Sequence, residues 1–177
     1  FAAEDFTAAD DSVIPEDGLI CEVGLDENMT AKFNTALPFG RYYVQEIATD
    51  EHYVLNGEKY LVTFDYQGQE VTTVSIDCGK FDNSLKRGKI QGIKVNESDD
   101  PLENALFGLF AVDTAEFTSE NAYMTAISDE NGYFEFTDVP LGEYVIHEIK
   151  APTGYILSNE SYPAAVREEG ETIEIRA

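Results

Sequence analysis

One glutamate in this sequence lies inside an apolar strand pattern, where a charge is costly. Residues 142–155 read GEYVIHEIKAPTGY, and the apolar run at their centre predicts a β-strand. Alternate side chains of a strand point to opposite faces, so Tyr144, Ile146 and Glu148 share one face, the more apolar of the two. Because burial of an unpaired carboxylate is unfavourable, Glu148 needs a partner or a chemical role.

A lysine occupies a comparable position on an earlier strand. In GKIQGIKV, residues 88–95, Lys94 shares a face with Ile90 and Gly92. The sequence therefore predicts an early strand with an inward lysine and a later strand with an inward glutamate. Two buried opposite charges can pair, although such a pair is weak evidence for stability.

The chain contains an internal repeat. ALPFGRYYVQEI at residues 36–47 matches DVPLGEYVIHEI at residues 138–149, and positions 46 and 148 differ by 102. Repetition at about one hundred residues indicates two copies of a domain rather than an array of short units. The matched pairs are Pro38 with Pro140, Gly40 with Gly142, Tyr42 with Tyr144, Glu46 with Glu148, and Tyr53 with Tyr155.

Both copies have an all-β pattern. FEFTDV, EYVIHEI, YLVTFDY, EVTTVSI and GKIQGIKV are short, rich in β-branched and aromatic residues, and separated by turn sequences. No segment shows a sustained helical period. We expect two tandem Ig-like β-sandwich domains, at residues 1–87 and 88–177, joined near LKRGK by a short linker that restricts hinging.

Composition and charge exclude several classes of partner. The 177 residues are 43% hydrophobic, enough to form cores, and carry 35 acidic against 11 basic side chains, a formal net charge of −24. Such a surface repels nucleic acid and anionic membranes. No apolar run is long enough to span a bilayer. Because the chain opens at Phe1 without an initiator methionine, we expect an excerpt of a longer protein.

Metal and cysteine chemistry give weaker signals. Cys21 and Cys78 could form a single disulfide or remain two buried thiols, and spacing does not decide between them. DEN at residues 26–28 and DENG at residues 129–132 lack the spacing of a calcium loop and are more typical of hairpin turns. His52 and His147 have no second histidine or cysteine at ligand spacing, so we expect no metal and no cofactor.

At this point the sequence resembles a known family. G-x-I-x-G-x-K, then PLENALFGLF, then a DENG hairpin and YVIHEIKAPTGY, are similar to CnaB-type domains, also called SpaA-type or prealbumin-like. The resemblance covers essentially the whole chain as two copies. The first copy keeps PFGRYYVQE but has ATDEHY where the second has KAPTGY, so its match is looser there.

The resemblance implies a covalent role for the inward charges. In such domains a lysine on the first strand and an asparagine or aspartate on the last strand join in a spontaneous isopeptide bond, assisted by a glutamate. Lys94 would be the donor of copy two, Glu148 and Glu46 the assisting acids, and Asn83 the acceptor of copy one. Burial favours a neutral, nucleophilic amine and a protonated acid, and close placement supplies effective concentration.

Each copy lacks one member of this set. The alignment of Phe1 with Phe110 puts the donor of copy one about sixteen residues before Phe1. Counting from Ile76 and Ile175 puts the acceptor of copy two at position 182, beyond Ala177. We therefore expect copy one to lack its first strand and copy two to lack all or part of its last. Alternatively, the glutamates are rim carboxylates or ordinary ion-pair members, and Asn83 is a turn residue.

The resemblance implies a structural protein, not an enzyme. The expected function is a stalk or pilin-like repeat of an adhesin, outside the cell and anchored to the wall of a Gram-positive bacterium, with neighbouring domains of the same polypeptide as partners. An alternative is an adhesin module that binds a host matrix protein or glycan through its loops, for which the acidic insertion at residues 2–18 is a candidate.

Overall fold

The structure is a computed structural model that describes residues 1–7, 11–34 and 36–177. These residues contain strands and no helix, which confirms the all-β prediction. They form two compact units: unit 1 comprises Phe1–Asp50 and Leu55–Asn83, and unit 2 comprises Glu51–Val54 and Ser84–Ala177. The strands in chain order are β1 (Phe6–Thr7), β2 (Val13–Ile14), β3 (Gly40–Val44), β4 (Tyr60–Phe64), β5 (Arg87–Ile93), β6 (Leu106–Ala111), β7 (Met124–Ile127), β8 (Tyr133–Pro140), β9 (Gly142–Lys150), β10 (Ser161–Val166) and β11 (Thr172–Arg176).

Unit 2 is built from two sheets around an aromatic core. One sheet has the order β10-β9-β6-β7 and is antiparallel, and the other has the order β11-β5-β8, with β11 parallel to β5. The inward side chains of both sheets meet between them, and Phe107 of β6 stacks on Phe134 of β8 with ring centroids 4.1 Å apart. Ile90, Phe107 and Ile146 are fully buried, as the alternation of apolar residues requires.

Unit 1 has a smaller set of strands. β3 pairs with β4, and β1 pairs with β2 in a short hairpin within the acidic insertion, of which residues 8–10 lie outside the described residues. Phe1 and Tyr43 exchange backbone hydrogen bonds, in the same way that Phe110 of β6 is paired with Val145 of β9. This pairing supports the alignment of Phe1 with Phe110.

One predicted strand is absent. EVTTVSI, at residues 70–76, has no strand in the structure, so that prediction was wrong for this chain. Its counterpart in unit 2 is β11, which is held by parallel pairing with β5. Among the described residues of unit 1 no strand corresponds to β5, so the segment has no ladder of hydrogen bonds to complete it.

The same tyrosine-to-proline hydrogen bond occurs in both units. The Tyr42 hydroxyl donates to the Pro38 carbonyl at 2.8 Å, and the Tyr144 hydroxyl donates to the Pro140 carbonyl at 2.9 Å. These matching hydrogen bonds confirm the offset of 102 residues as a structural equivalence.

The two acidic motifs form turns, as predicted. Asp26 Oδ1 accepts hydrogen bonds from the backbone N–H groups of Asn28 and Thr30, and Asp129 Oδ1 accepts from those of Asn131 and Tyr133. Each aspartate thus satisfies the amides of the turn that follows it.

The cysteine alternatives are also resolved by the structure. Cys21 and Cys78 are free thiols, and burial raises the pKa of the Cys78 thiol above its usual value.

Candidate functional site

Glu148 lies in the core of unit 2, as its strand pattern predicted. It is on β9, opposite Phe107 of β6, and only 2% of its surface is exposed. Its Oε2 accepts a hydrogen bond from the backbone N–H of Ser158 at 2.8 Å. Its Oε1 is buried and has no hydrogen-bond partner among the described residues. One carboxylate oxygen is therefore fixed by a hydrogen bond, while the other is buried without a hydrogen-bond donor.

Lys94 is the cation nearest to that oxygen. Lys94 follows directly after β5, its side chain is 14% exposed, and its Nζ lies 3.8 Å from Glu148 Oε1. Backbone hydrogen bonds on both sides fix the residue, because its N–H donates to the Gly132 carbonyl and its carbonyl accepts from Leu102. At 3.8 Å the two groups form an ion pair but not a short hydrogen bond.

The end of the last strand, β11, places a third residue beside the Lys94 and Glu148 pair. The Ala177 N–H donates to the Ile93 carbonyl at 3.1 Å, and the Val95 N–H donates to the Ala177 carbonyl at 3.0 Å. In a parallel ladder this pattern puts Ala177 opposite Lys94. Ala177 also packs against the core, so its side chain is on the same face as the ion pair. By this register, the strand position next to Lys94 is 177, whereas counting along the repeat gave 182.

Unit 1 brings together its own predicted pair. Glu46 Oε2 accepts a hydrogen bond from Asn83 Nδ2 at 2.7 Å and another from the backbone N–H of Asn56 at 2.8 Å. Asn83 Nδ2 also donates to Thr49 Oγ1 at 3.0 Å. Both Glu46 and Asn83 are half-buried. Glu46 thus holds the side-chain amide that the resemblance assigns as the acceptor.

The glutamate and its backbone hydrogen-bond donor are equivalent in the two sites. Ser158 and Asn56, which donate to Glu148 and Glu46, are separated by the same 102 positions as the glutamates themselves. Unit 2 contains the pair of Lys94 and Glu148, and unit 1 contains the pair of Glu46 and Asn83. Among the described residues of unit 1, no ion pair involves Glu46.

The sequence reasoning missed a tyrosine–glutamate pair that recurs just after Asn56 in unit 1 and just after Ser158 in unit 2. The Tyr162 hydroxyl donates to Glu160, and burial, this hydrogen bond and the nearby charge of Glu148 raise the pKa of Tyr162 to about 12. The Tyr60 hydroxyl likewise donates to Glu58, which raises the Tyr60 pKa. The signal was present, since NGEKY at residues 56–60 matches SNESY at residues 158–162 with the same offset.

His147 is explained by packing. It is 8% exposed, its ring stacks on Phe117 with centroids 4.3 Å apart, and its Nδ1 lies 3.1 Å from Ser161 Oγ. These contacts anchor the loop between β6 and β7 and require no ligand. Among the described residues, no helix is long and apolar enough to cross a membrane.

The fold and the repeated site define the class of protein. The model of the SpaA family, a prealbumin-like fold domain, matches residues 7–78 and again residues 88–177. The chain therefore belongs to this family and carries two tandem copies of its domain.

Relatives of this chain include a bacterial surface protein. The trypsin-resistant surface T6 protein of Streptococcus pyogenes serotype M6 is 38% identical over 65 residues, which are 37% of this chain and 11% of that protein. The Bacillus anthracis TIE protein aligns with 88% of this chain and 27% of its own, at 25% identity and a TM-score of 0.64. The chain spans a minor part of the length of each relative.

Proposed function

We propose that this chain is a structural stalk segment of a pilus or adhesin on the surface of a Gram-positive bacterium. Its family supports this function, as does its relative, which is named a surface protein. In the same proposal, its neighbours are other domains of the same polypeptide, and its domains resist pulling and proteolysis. The alternative function, binding of a host protein or glycan through the loops, stays a prediction.

We further propose that each domain is of the type closed by an isopeptide bond. The observation that carries this proposal is the buried Lys94 and Glu148 pair, with one glutamate oxygen unpartnered and a strand position directly opposite the lysine. The hydrogen bond from Asn83 to Glu46 supplies the other half of the same arrangement in unit 1. Surface salt bridges need no such burial, so an ordinary ion pair explains the arrangement less well.

The reaction would be an acyl transfer from nitrogen to nitrogen. Glu148 first takes a proton from the Lys94 ammonium, and the neutral amine then attacks the side-chain carbonyl carbon of an asparagine beside it and forms a C–N bond. The bond from that carbon to the amide nitrogen breaks. Glu148 relays the proton lost by Nζ to the leaving nitrogen, which departs as ammonia. Strand pairing holds the groups together and so supplies their effective concentration.

A bond between the first and last strands changes how the domain bears load. By analogy with disulfides, closure of a loop of about 100 residues would stabilise the fold by roughly 4–5 kcal/mol. Tension on the ends would then pass through covalent bonds rather than through strand hydrogen bonds.

An A177N substitution tests this chemistry in the chain as it stands. It introduces an amide opposite Lys94, and we expect the intact mass to fall by one ammonia. Peptide mapping should then find positions 94 and 177 joined. The unsubstituted chain and the A177N/E148Q chain are the controls, and both should keep their full mass. A folded A177N chain that retains its ammonia after prolonged incubation would refute the proposed role of this pair.

A further inference from the structure

A short segment of repeat one is held by strand pairing. Glu51–Val54 belongs to unit 2, where Tyr53 pairs with Leu85 in an antiparallel bridge. The Val54 N–H donates to the Ser84 carbonyl at 2.8 Å, and the Lys86 N–H donates to the His52 carbonyl at 2.7 Å. In this arrangement the facing residues form a non-hydrogen-bonded pair, whose side chains approach most closely.

The same segment exists in repeat two. The hydrogen bonds of Glu46 to Asn56 and of Glu148 to Ser158 fix both ends of the connection at the same offset, so the loops are equal in length. Tyr53 therefore corresponds to Tyr155, and residues 51–54 correspond to residues 153–156.

In repeat two this segment has no strand beside it. Among the described residues, no strand or bridge pairs with residues 153–156, although the Tyr155 N–H closes a turn on the Pro152 carbonyl. Ile156 is 94% exposed, whereas its counterpart Val54 is 38% exposed. Tyr155 and Leu157 on either side are 48% and 42% exposed. Their counterparts Tyr53 and Leu55 are 38% and 47% exposed beside the paired strand, so the two repeats differ chiefly at Ile156.

We propose that residues 153–156 are a docking site for an extended chain segment that adds to them as an antiparallel strand. The occupant has the chemistry of residues 84–86, namely a small polar residue, an apolar residue and a basic residue. In repeat one this sequence comes directly after Asn83, at the Glu46 site. In repeat two, the equivalent of residues 84–86 would come directly after β11, the strand whose register places Ala177 opposite Lys94. The inference rests on the tandem stalk proposed above, in which one domain leads into another.

The geometry defines what binding would look like. The Ile156 N–H would donate to the carbonyl of the small polar residue, as the Val54 N–H does to Ser84. The apolar residue would face Tyr155, as Leu85 faces Tyr53. Addition of a strand to an exposed backbone edge is a common mode of peptide recognition, because main-chain hydrogen bonds supply affinity and side chains supply register.

Hydrogen exchange on extended chains tests the site. In one chain SLKRG, the sequence of residues 84–88, is attached directly after Ala177. In a second chain one alanine is inserted before it. Because side chains alternate along a strand, the two chains test both ways in which the segment can face Tyr155. We expect exchange of the Ile156 amide to slow roughly tenfold in one of them. A Gly/Ser extension of equal length and an extension with proline in place of the lysine are the matched controls. Neither should protect Ile156.

The Val54 amide in the same molecule is the internal reference, since its hydrogen bond is present already. If Val54 stays protected while Ile156 exchanges equally fast in all extended chains, the docking site is refuted. The added segments contain no acceptor amide, so this result is independent of whether the A177N chain forms its cross-link.

Discussion

The pairing of Glu148 with Lys94 is difficult to explain by stability alone. Both side chains are largely removed from water, and the distance of 3.8 Å with an unpartnered Oε1 is far from the best geometry for a buried ion pair. Desolvation of two charges generally equals or exceeds what their attraction returns. The proposed isopeptide chemistry gives the pair a use, namely a proton transfer that follows the approach of a third group.

The two glutamates should therefore differ in their effect on folding. E148A leaves a buried ammonium without a counter-charge and should destabilise unit 2 by about 3–5 kcal/mol. E46A removes an acceptor from a backbone N–H and an amide at a half-buried site, and should cost unit 1 about 1–3 kcal/mol. Urea unfolding of each variant, followed by a probe in the affected unit, gives both values.

The K94M/E148L double variant is the matched control. It removes both charges and keeps the volume, so it should recover most of the loss seen in E148A. Equal losses in E148A and the double variant would mean that packing, not the unpaired charge, sets the cost.

At the scale of the strand, prediction from sequence succeeded where alternating apolar residues coincide with backbone hydrogen bonds to a neighbouring strand. β5, β8 and β9 were predicted because apolar residues on every second position matched a real sheet face. EVTTVSI has the same pattern but gains no partner, because strand identity depends on a neighbour that sequence periodicity does not reveal.

The site residues also divide into those that a sequence pattern revealed and those that only the structure revealed. Glu148 and Glu46 were found because a carboxylate recurs on an apolar face at one offset in two repeats. The position of Ala177 opposite Lys94 came only from the parallel register of β11, because parallel neighbours are separated by most of the domain in sequence. The tyrosines of the two recurring pairs, Tyr60 and Tyr162, lie on β4 and β10, and only the repeat of NGEKY as SNESY could have revealed them from the sequence.

Gly92 of β5 leaves room for the ring of Phe134, its neighbour on β8 in the same sheet. A Cβ on this glycine would lie 2.5 Å from Phe134 Cζ and 2.9 Å from the Ile175 carbonyl oxygen. Phe134 is 1% exposed and stacked on Phe107, so it has little space to move. We expect G92A to destabilise unit 2 by about 1–3 kcal/mol, measured by urea unfolding.

Two further variants separate the clash from the general effect of a glycine-to-alanine change. In G57A the new Cβ meets no atom within 4 Å, so unit 1 should be nearly unaffected. F134L in the G92A background shortens the opposing ring and should lessen the added cost of G92A. If G92A is as stable as the unsubstituted chain, the Phe134 ring can shift without penalty and the tight packing inferred here is wrong.

At the scale of the whole molecule, charge imbalance should dominate the response to salt. Even if every one of the 11 basic residues paired with an acid, 24 of the 35 acidic residues would have no cation. Screening weakens exposed pairs such as Arg41 with Glu4 and Lys59 with Asp17, but it weakens the more numerous repulsions as well. At pH 7 we therefore expect both units to gain thermal stability as the Debye length falls from about 30 to about 3 Å, between roughly 0.01 and 1 M NaCl.

The sign of this effect should change with pH. Hydrogen bonds from the Arg41 backbone and side chain lower the pKa of Glu4, and hydrogen bonds from Lys59 and Tyr43 lower that of Asp17. A lowered folded-state pKa adds stability above the unfolded-state pKa, and that stability is lost as pH falls through the folded value. Near the sequence pI of about 4.1 the net repulsion vanishes, while the lowered pKa values keep Glu4 and Asp17 more ionised than unpaired carboxylates, so salt then acts mainly on attractions and should lower the melting temperature. Melting curves at the two salt concentrations and at both pH values measure the difference, in which 1 kcal/mol corresponds to about 4–8 °C for domains of this size. A salt-induced rise of the same size at pH 4.1 and pH 7 would show that salt acts through apolar burial instead, and that the surplus of acid is too well solvated to oppose folding.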